Sequence, residues 1–306
     1  MAEIVVIMGG CSSEREVSLR SGAAVAEALR RNGFAVRELD LVREELPAGL
    51  DAARDVVFPV LHGGFGENGG IQSLLERGGF AYVGCDSVSS ALCMDKLATK
   101  RVVGAAGVNV APQYELRADY VQHDAGAIVA ELGEHIVAKP SCDGSSVGLS
   151  FISGAEELRD WLARPRRGAW LLEKRICGHE LTCGLLGGAA MGIVEIAPAS
   201  GVYDYASKYT PGSTNYLFPA PITEESAALV RRYSELAFAA CACRDFARAD
   251  FILPEGGEPV FLEINTLPGM TATSLLPKSA SCIGLTFEQL VARMLAPALE
   301  RFPAIV

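Results

Sequence analysis

Two carboxylates, an amide and a guanidinium are spaced so that they can meet at one point of a sheet. Arg248 and Asp250 are two residues apart in the apolar run ARADFIL, and Glu263 and Asn265 are two apart in VFLEIN. Residues two apart on a strand point to the same side. The short turn at 254–259 predicts that the two strands pair antiparallel, with these four side chains on one face. A buried carboxylate is costly unless a cation or hydrogen-bond donors meet it.

Two kinds of partner would satisfy this hairpin. Hard oxygen ligands suit Mg²⁺, which takes one or two carboxylates together with substrate phosphates. The alternative is an ordinary ion pair between Arg248 and a carboxylate at the end of the sheet. The spacing favours the metal and leaves the ion pair open.

A second candidate for chemistry is the loop KPSCDGSSVG at 139–148. Small residues allow backbone N–H groups to approach an anion, and Lys139 supplies a point charge, so the loop is a candidate phosphate site. An ordinary flexible hairpin is the alternative. The loop differs from a Walker loop, because Gly-Lys-Ser/Thr is absent from the sequence.

A third stretch, HGGFGENGG at 62–70, contains a GxGxxG pattern. The pattern is weak evidence for a dinucleotide site, because it follows the second strand–helix step. A nucleotide-binding fold of that kind normally places its glycines in the first turn. The first turn here, GGCSSEREVS, lacks the pattern, and we therefore disfavour nicotinamide binding.

Other polar residues have plain interpretations when each is taken alone. Glu14, at a helix start, is expected to serve as a dipole or cap partner, with binding of a substrate ammonium as the alternative. Lys96 is expected to be a solvated helix lysine. Lys208 and Tyr209, in a long loop, either close over a site or face water.

The elements that must position these residues alternate between strand and helix. Apolar strands are expected at 3–8, 55–61 and 135–140, and helices near 14–32 and 94–107. Strand–loop–helix alternation predicts an α/β fold with a parallel sheet near the N-terminus. We expect three units, at 1–86, 87–178 and 179–306, with a long loop at 200–217.

Composition limits the function classes. The 306 residues are 50% hydrophobic and carry a formal net charge of −10, which argues against a general nucleic-acid or anionic-membrane binder. Uncharged apolar runs fall short of the roughly 18 residues of a membrane span. The N-terminus resembles a first strand and not a signal peptide. The nine Cys residues are odd in number and scattered, which indicates free thiols in a reducing cytoplasm.

The motifs are jointly more specific than any one of them. In order along nearly the whole chain, they are GGCSSEREVSL, LHGGFGENGGIQSLLE, SALCMDK, KPSCDGSSVG, YDYASKY, RADF and EINTLPGMTATSLLP. The sequence resembles the D-alanine–D-alanine ligases of the ATP-grasp superfamily. The resemblance implies a three-domain ATP-grasp fold, ATP as co-substrate, two Mg²⁺ or Mn²⁺ ions, a monovalent cation as a further candidate, and a homodimer.

The resemblance assigns roles to named residues. It implies metal binding by Asp250, Glu263 and Asn265, and a lid over 200–217. Residues implied to bind ATP are Lys96, Lys139, Ser145, Ser146, Glu173, Lys174, Ile176, Glu180, Lys208, Ile252 and Leu262. Residues implied to act in catalysis are Glu14, Ser145, Tyr209, Arg248 and Gly269. Residues implied to bind the amino acids are Glu14, His62, Ser274 and Leu275.

The family's reaction joins two D-alanines through an acyl-phosphate. Tyr209 and Leu275 match the members that form the dipeptide, so D-alanine is the expected acceptor, with D-serine or D-lactate as the alternative. Asn68 and the pair Cys142 and Asp143 depart from the common pattern at positions without a chemical role. The rival classes are a ligase for other amino or hydroxy acids, a non-enzymatic nucleotide binder, and a dehydrogenase.

Overall fold

A computed structural model describes residues 2–117, 123–144, 148–198 and 212–302. Within them three sheets follow one another along the chain, each with helices packed against it. The mixed α/β fold class expected from the sequence is therefore confirmed. Within the same ranges, every helix is too short or too polar to cross a membrane.

The first unit is a parallel sheet with covering helices. Its elements are β1 (Glu3–Gly9), α1 (Arg15–Arg31), β2 (Val36–Leu41), β3 (Asp55–Pro59), α2 (Gly70–Arg77) and β4 (Ala81–Tyr82). The strand order is β2-β1-β3-β4, and all the pairings are parallel. Residues 4–7 of β1 have no exposed surface, because a parallel sheet is covered on both faces.

The central unit is an antiparallel sheet with two helices on one side and a helical pair leading into it. Its elements are α3 (Ser87–Met94), α4 (Lys96–Ala105), β5 (Gln113–Arg117), α5 (Ala125–Leu132), β6 (His135–Pro140), β7 (Ser150–Ser153), α6 (Gly154–Leu162) and β8 (Ala169–Lys174). The strand order is β5-β8-β6-β7.

The helix expected near 94–107 is present as α4, and the sequence did not predict α3, which a break at Asp95 separates from it. Asp95 has an extended backbone there, with φ −82 and ψ 100, and its carboxylate accepts the N–H groups of Leu97 and Ala98. A side chain that caps a new helix start explains the break. It sets Lys96 in the first turn of α4.

The third unit is a five-stranded antiparallel sheet with the order β11-β10-β9-β12-β13. Its elements are β9 (His179–Leu186), β10 (Ala189–Pro198), β11 (Thr214–Leu217), α7 (Glu224–Ala240), β12 (Phe246–Leu253), β13 (Val260–Asn265), α8 (Leu275–Ser281) and α9 (Phe287–Arg301). The expected hairpin is β12–β13. Asp250 lies opposite Glu263 and Arg248 lies opposite Asn265, and a bulge follows Asp250.

The last described helix does not stay with its own sheet. Leu290, Val291 and Leu295 of α9 are fully buried in one apolar cluster with β1, β3 and α1 of the first unit. Arg301, at the end of α9, forms a double ion pair with Asp245, at 2.9 and 2.6 Å. The bounds 1–86, 87–178 and 179–306 stay a prediction, and α9 crosses between the first and third of these units.

Candidate active site

One large cavity, of about 1210 Å³, lies where the three units meet. Every predicted site residue that falls in the described ranges lines it. These residues are Glu14, His62, Lys96, Lys139, Glu173, Lys174, Ile176, Glu180, Arg248, Asp250, Ile252, Leu262, Glu263, Asn265, Gly269, Ser274 and Leu275. Ser145, Ser146, Lys208 and Tyr209 lie outside the described residues. The cavity thus gathers the residues of α1, α4, β8 and the β12–β13 hairpin at one place.

The hairpin contains the ion pair that the sequence left open. Arg248 donates two hydrogen bonds to Asp250, from Nε to Oδ1 at 2.9 Å and from Nη2 to Oδ2 at 2.7 Å. The hydroxyl of Thr182, on the neighbouring strand β9, donates to Oδ1 at 2.5 Å. Asp250 is only 7% exposed, so these donors keep its buried carboxylate satisfied.

The same hairpin offers oxygen ligands to a metal. The carboxylates of Asp250 and Glu263 lie opposite each other across the two strands, and Asn265 adds an amide oxygen that accepts from the Leu267 N–H at 2.9 Å. Among the described residues, no group of three or more His, Cys, Asp or Glu side chains has the geometry of a closed metal site. The set of two carboxylates and an amide instead fits Mg²⁺, which takes its remaining ligands from substrate and water.

Two cations and a carboxylate meet at one end of the cavity, which Lys139 and Glu173 line. Glu173, 3% exposed, accepts from Lys100 Nζ at 2.7 Å through Oε2 and from Lys139 Nζ at 3.1 Å through Oε1. Lys96 lies near them, with its Nζ 3.4 Å from Glu263 Oε2 and 2.7 Å from the Asp143 carbonyl oxygen. Lys96 therefore contacts the described first part of the 139–148 loop.

Burial perturbs both members of the deepest pair. Burial lowers the pKa of the Lys100 ammonium from 10.5 to about 8, although the charge of Glu173 opposes the shift. Burial by itself raises the pKa of the Glu173 carboxyl, but the ammonium charges of Lys100 and Lys139 outweigh it and lower that pKa below 4.5. Both members of the pair are therefore charged at neutral pH.

At the opposite end, the expectation for Glu14 is corrected. Glu14 occupies the N-cap position of α1, but its side chain makes no capping hydrogen bond, so the cap part of the expectation is wrong and the dipole part stays a prediction. The carboxylate lines the cavity, with Oε2 only 3.1 Å from where a Cβ at Gly63 would lie. Gly63 also has a φ of +70, a left-handed conformation that glycine adopts without strain. A side chain at 63 would crowd Glu14.

The glycine-rich loop at 62–70 packs beside this end and does not form a phosphate turn of its own. His62 Nδ1 lies 3.6 Å from Glu67 Oε1, and its Nε2 lies 3.4 Å from the Ser21 hydroxyl. The other Glu67 oxygen would be 3.7 Å from a Cβ at Gly144. The loop thus positions His62 and Glu67 between the first turn and Gly144 of the 139–148 loop.

Gly269 and Ser274 form a tight turn on the far wall of the cavity. A Cβ at Gly269 would lie 2.9 Å from the Ser274 hydroxyl oxygen. That oxygen accepts from the Thr271 N–H at 2.9 Å, and the Met270 N–H donates to Ser21 at 3.2 Å. Glycine at 269 therefore keeps the Ser274 hydroxyl close to the backbone.

Sequence reasoning missed three residues that hold the predicted ones. Lys100 pairs with Glu173, Thr182 donates to Asp250, and Glu67 faces His62. One signal was present for Lys100, because it follows Lys96 by four residues and so lies on the same face of α4. The contact of Thr182 with Asp250 joins distant parts of the chain and leaves no local pattern. Glu67 is close to His62 in the sequence, but the glycine pattern between them did not indicate the contact.

Family comparisons agree with this geometry. The model described as D-ala D-ala ligase C-terminus matches residues 102–296, and the one described as D-ala D-ala ligase N-terminus matches residues 40–85. The chain belongs to the D-alanine–D-alanine ligase family. It is therefore an ADP-forming ligase, and the dehydrogenase and non-enzymatic alternatives are set aside.

Relatives and solved structures match over nearly their whole length. A D-alanine–D-alanine ligase of Anaeromyxobacter sp. (strain Fw109-5) is 44% identical over 298 residues, 96% of both chains. One from Syntrophotalea carbinolica is 40% identical and covers 98% of this chain and 97% of its own. The crystal structure of the Bacillus anthracis ligase has a TM-score of 0.85 at 30% identity, with 98% of each chain covered. The crystal structure of the VanG D-Ala:D-Ser ligase of Enterococcus faecalis has a TM-score of 0.84 at 31% identity. The match covers 97% of this chain and 99% of that one.

Proposed function

We propose that this protein joins two D-alanines to D-alanyl-D-alanine, with conversion of ATP to ADP and phosphate. The observation that carries the proposal is the large cavity of about 1210 Å³. It brings the lysines of the nucleotide end, the oxygen donors of the hairpin and Glu14 of the amino-acid end together. A relative of the same fold was solved in complex with ATP, the Bacillus anthracis ligase, at TM-score 0.82 and 28% identity over 98% of each chain.

The first step is phosphoryl transfer to a carboxylate. A carboxylate oxygen of the first D-alanine attacks the γ-phosphorus, the bond to the bridging oxygen breaks, and ADP leaves as the acyl-phosphate forms. Two anions approach each other in this step, so positive charge must surround them. Lys96, Lys139 and Arg248 line the cavity where such charge is needed.

The second step is attack on the acyl carbon. The amine nitrogen of the second D-alanine adds, loses a proton and expels phosphate, which leaves the peptide bond. Negative charge develops on the acyl oxygen, and we assign the Arg248 guanidinium and the Gly269 N–H as its donors. We assign the carboxylate of Glu14 to the ammonium of the first D-alanine.

The metal proposal concerns Asp250, Glu263 and Asn265, whose oxygen donors fit Mg²⁺ or Mn²⁺. Bound ions would supply positive charge between the phosphate oxygens. Asp250 would keep its contact with Arg248 through its remaining lone pairs, so the ion pair and the metal site are compatible. A monovalent cation is a further candidate ligand, and we assign no residues to it.

The acceptor is proposed to be D-alanine. Ser274 and Leu275 stand at the far wall, where the carboxylate of the second amino acid would lie, and Leu275 is 8% exposed in an apolar cluster with Val194 and Ile196. An apolar residue there lacks the charge that would favour a different acceptor. D-Serine is the second candidate, because the VanG D-Ala:D-Ser ligase has nearly the same fold.

We further propose a cytoplasmic homodimer. All nine Cys residues of the chain are free thiols. Four of them, at 85, 93, 241 and 243, are buried in the same apolar cluster. Free thiols are typical of reducing compartments. The dimer rests on the family resemblance alone, and sedimentation of the purified chain tests it.

The deciding experiment measures phosphate release from ATP and Mg²⁺ with D-alanine, with L-alanine as the control, and detects the product by mass. We expect phosphate release that depends on D-alanine, together with D-alanyl-D-alanine. D-Serine and D-lactate are then offered as acceptors beside D-alanine. Preference for D-lactate at neutral pH, or phosphate release without any D-alanine dependence, would overturn the proposal.

A further inference from the structure

A buried ammonium lies behind the nucleotide end of the cavity. The Lys100 side chain has no exposed surface, at 0%, whereas Glu173 and Lys139 are 4% and 14% exposed and line the cavity. Lys100 is therefore out of reach of a molecule bound there. It can affect such a molecule only through its neighbours.

Those neighbours form a chain of three charges. Lys100 Nζ lies 3.1 and 2.7 Å from the two carboxylate oxygens of Glu173, and it also donates to the Phe261 carbonyl on β13 at 3.3 Å. Lys139 Nζ donates to Oε1 of the same carboxylate, the oxygen farther from Lys100, at 3.1 Å. One carboxylate thus holds two ammonium groups, one fixed in the core and one at the cavity wall.

ATP binding would divide this cluster. If Lys139 is to meet the phosphates, as proposed above, its ammonium must turn away from Glu173. A buried carboxylate that loses its only cation is strongly destabilised. With Lys100 in place, Glu173 keeps two charge-assisted hydrogen bonds after Lys139 has left.

We infer that Lys100 is a positioning residue that neutralises Glu173 permanently and so releases Lys139 to the ATP phosphates. The inference rests on the proposed role of Lys139 in ATP binding. The hydrogen bond to the Phe261 carbonyl connects Lys100, on α4, to β13. Leu262 and Glu263 are the next two residues of that strand. A purely structural role for Lys100 would stabilise the fold without favouring phosphate-bearing ligands over adenosine.

The test compares two ligands that share the base and differ in phosphates. In Lys100→Met, Lys139 is the cation left beside Glu173. The Lys139 ammonium therefore stays paired with Glu173, and ATP binding weakens. Titration calorimetry with Mg²⁺ is expected to show about a tenfold loss of ATP affinity, and adenosine affinity within about twofold of the wild type. Arg101→Met is the matched control, because Arg101 is the next residue of α4 and pairs with Glu115 at the surface. It is expected to bind both ligands as the wild type does.

A second variant removes the carboxylate as well. In Lys100→Met/Glu173→Gln, nothing holds Lys139, so ATP affinity is expected within about twofold of Glu173→Gln alone. This comparison stands even if Lys100→Met fails to fold. Equal losses for ATP and adenosine in Lys100→Met, no loss at all, or a further tenfold loss of ATP affinity in the double variant would each overturn the inference.

Lys139→Met separates the inference from the proposed function. Its ATP affinity is expected to fall while its adenosine affinity is retained. If Lys139→Met is impaired and Lys100→Met binds like the wild type, only the inference fails. If the wild type does not bind ATP, or Lys139→Met binds it normally, the proposed function of Lys139 fails and the inference fails with it.

Discussion

Glu263 is a partly exposed carboxylate whose removal should affect chemistry more than folding. Its side chain is 34% exposed and 3.4 Å from Lys96. Replacement by Gln keeps the shape and removes one charge from the proposed metal site. We expect Glu263→Gln to lower kcat for D-alanine-dependent phosphate release at least about 100-fold. The melting temperature should stay near that of the wild type.

The matched control is Glu258→Gln, in the same hairpin. Glu258 accepts a hydrogen bond from the Tyr233 hydroxyl at 3.1 Å, and its loss should leave kcat unchanged. Wild-type turnover by Glu263→Gln in saturating Mg²⁺ would remove Glu263 from the metal site.

The low pKa of Lys100 gives ATP affinity a pH dependence. The group titrates at about 8, and its neutral form leaves Glu173 with Lys139 as its only cation. ATP binding favours the protonated form of Lys100, since Lys139 then leaves the pair. ATP affinity should therefore fall as pH rises through about 8. The slope should be much smaller in Glu173→Gln, and equal slopes in the two proteins would contradict this origin.

At the scale of elements, the start of α4 connects the helix that carries Lys96 and Lys100 to Ser141 in the 139–148 loop. The Asp95 carboxylate caps α4 and also accepts the Ser141 hydroxyl, just after β6, at 2.5 Å. Asp95→Ala should cost about 1 kcal/mol of unfolding free energy, as is typical for a lost N-cap. It should also raise the KM for ATP, because Lys96 and Lys100 are on this helix.

Asp124→Ala provides the comparison for that prediction. Asp124 caps α5 in the same way, through the N–H groups of Gly126 and Ala127, but α5 has no residue in the cavity lining. Both variants should lose similar stability in urea denaturation. A raised KM for ATP in both, or in neither, would show that the cap of α4 does not position the lysines.

The elements also show which features a sequence can predict. The antiparallel pairing of β12 with β13 followed from the two-residue spacing of Arg248 and Asp250 and the short turn, which are local signals. The helix near 94–107 was predicted, whereas α3, which precedes the break at Asp95, was missed. The pairing of Lys100 with Glu173 joins residues 73 positions apart, and such a contact depends on how α4 and β8 pack.

For the whole molecule, one ion pair ties the last described helix to both outer units. Arg301 reaches Asp245, whose side chain is 2% exposed, and donates to the Tyr82 carbonyl on β4 at 2.8 Å. Arg301→Met removes the cation from the buried Asp245 carboxylate, which keeps the hydrogen bond from the Gly84 N–H. We expect a loss of about 3 kcal/mol of unfolding free energy, measured by thermal or denaturant unfolding.

Arg31→Met is the surface counterpart. Arg31 also connects α1 with α9, through Glu288 at 3.2 Å, but its side chain is 63% exposed. Its loss should cost less than about 1 kcal/mol. Similar losses of unfolding free energy in the two variants would mean that burial of Asp245 does not determine how much the Arg301–Asp245 ion pair stabilises the protein.

The placement of α9 was not predictable from the sequence. Its apolar face marks it as a helix that packs on a core, but that pattern does not say which core. Leu290, Val291 and Leu295 would fit against any of the three sheets. The partner is decided by the fold of the whole chain, so the division into units from sequence alone could not foresee it.

This placement has a consequence for synthesis of the protein on the ribosome. The core of the first sheet is complete only when α9 covers it, and about 200 residues separate β4 from α9. At ordinary elongation rates, that interval lasts roughly 10–40 s. During it, the apolar surface of β3 and α1 that α9 will later cover is open to chaperones and to neighbouring nascent chains.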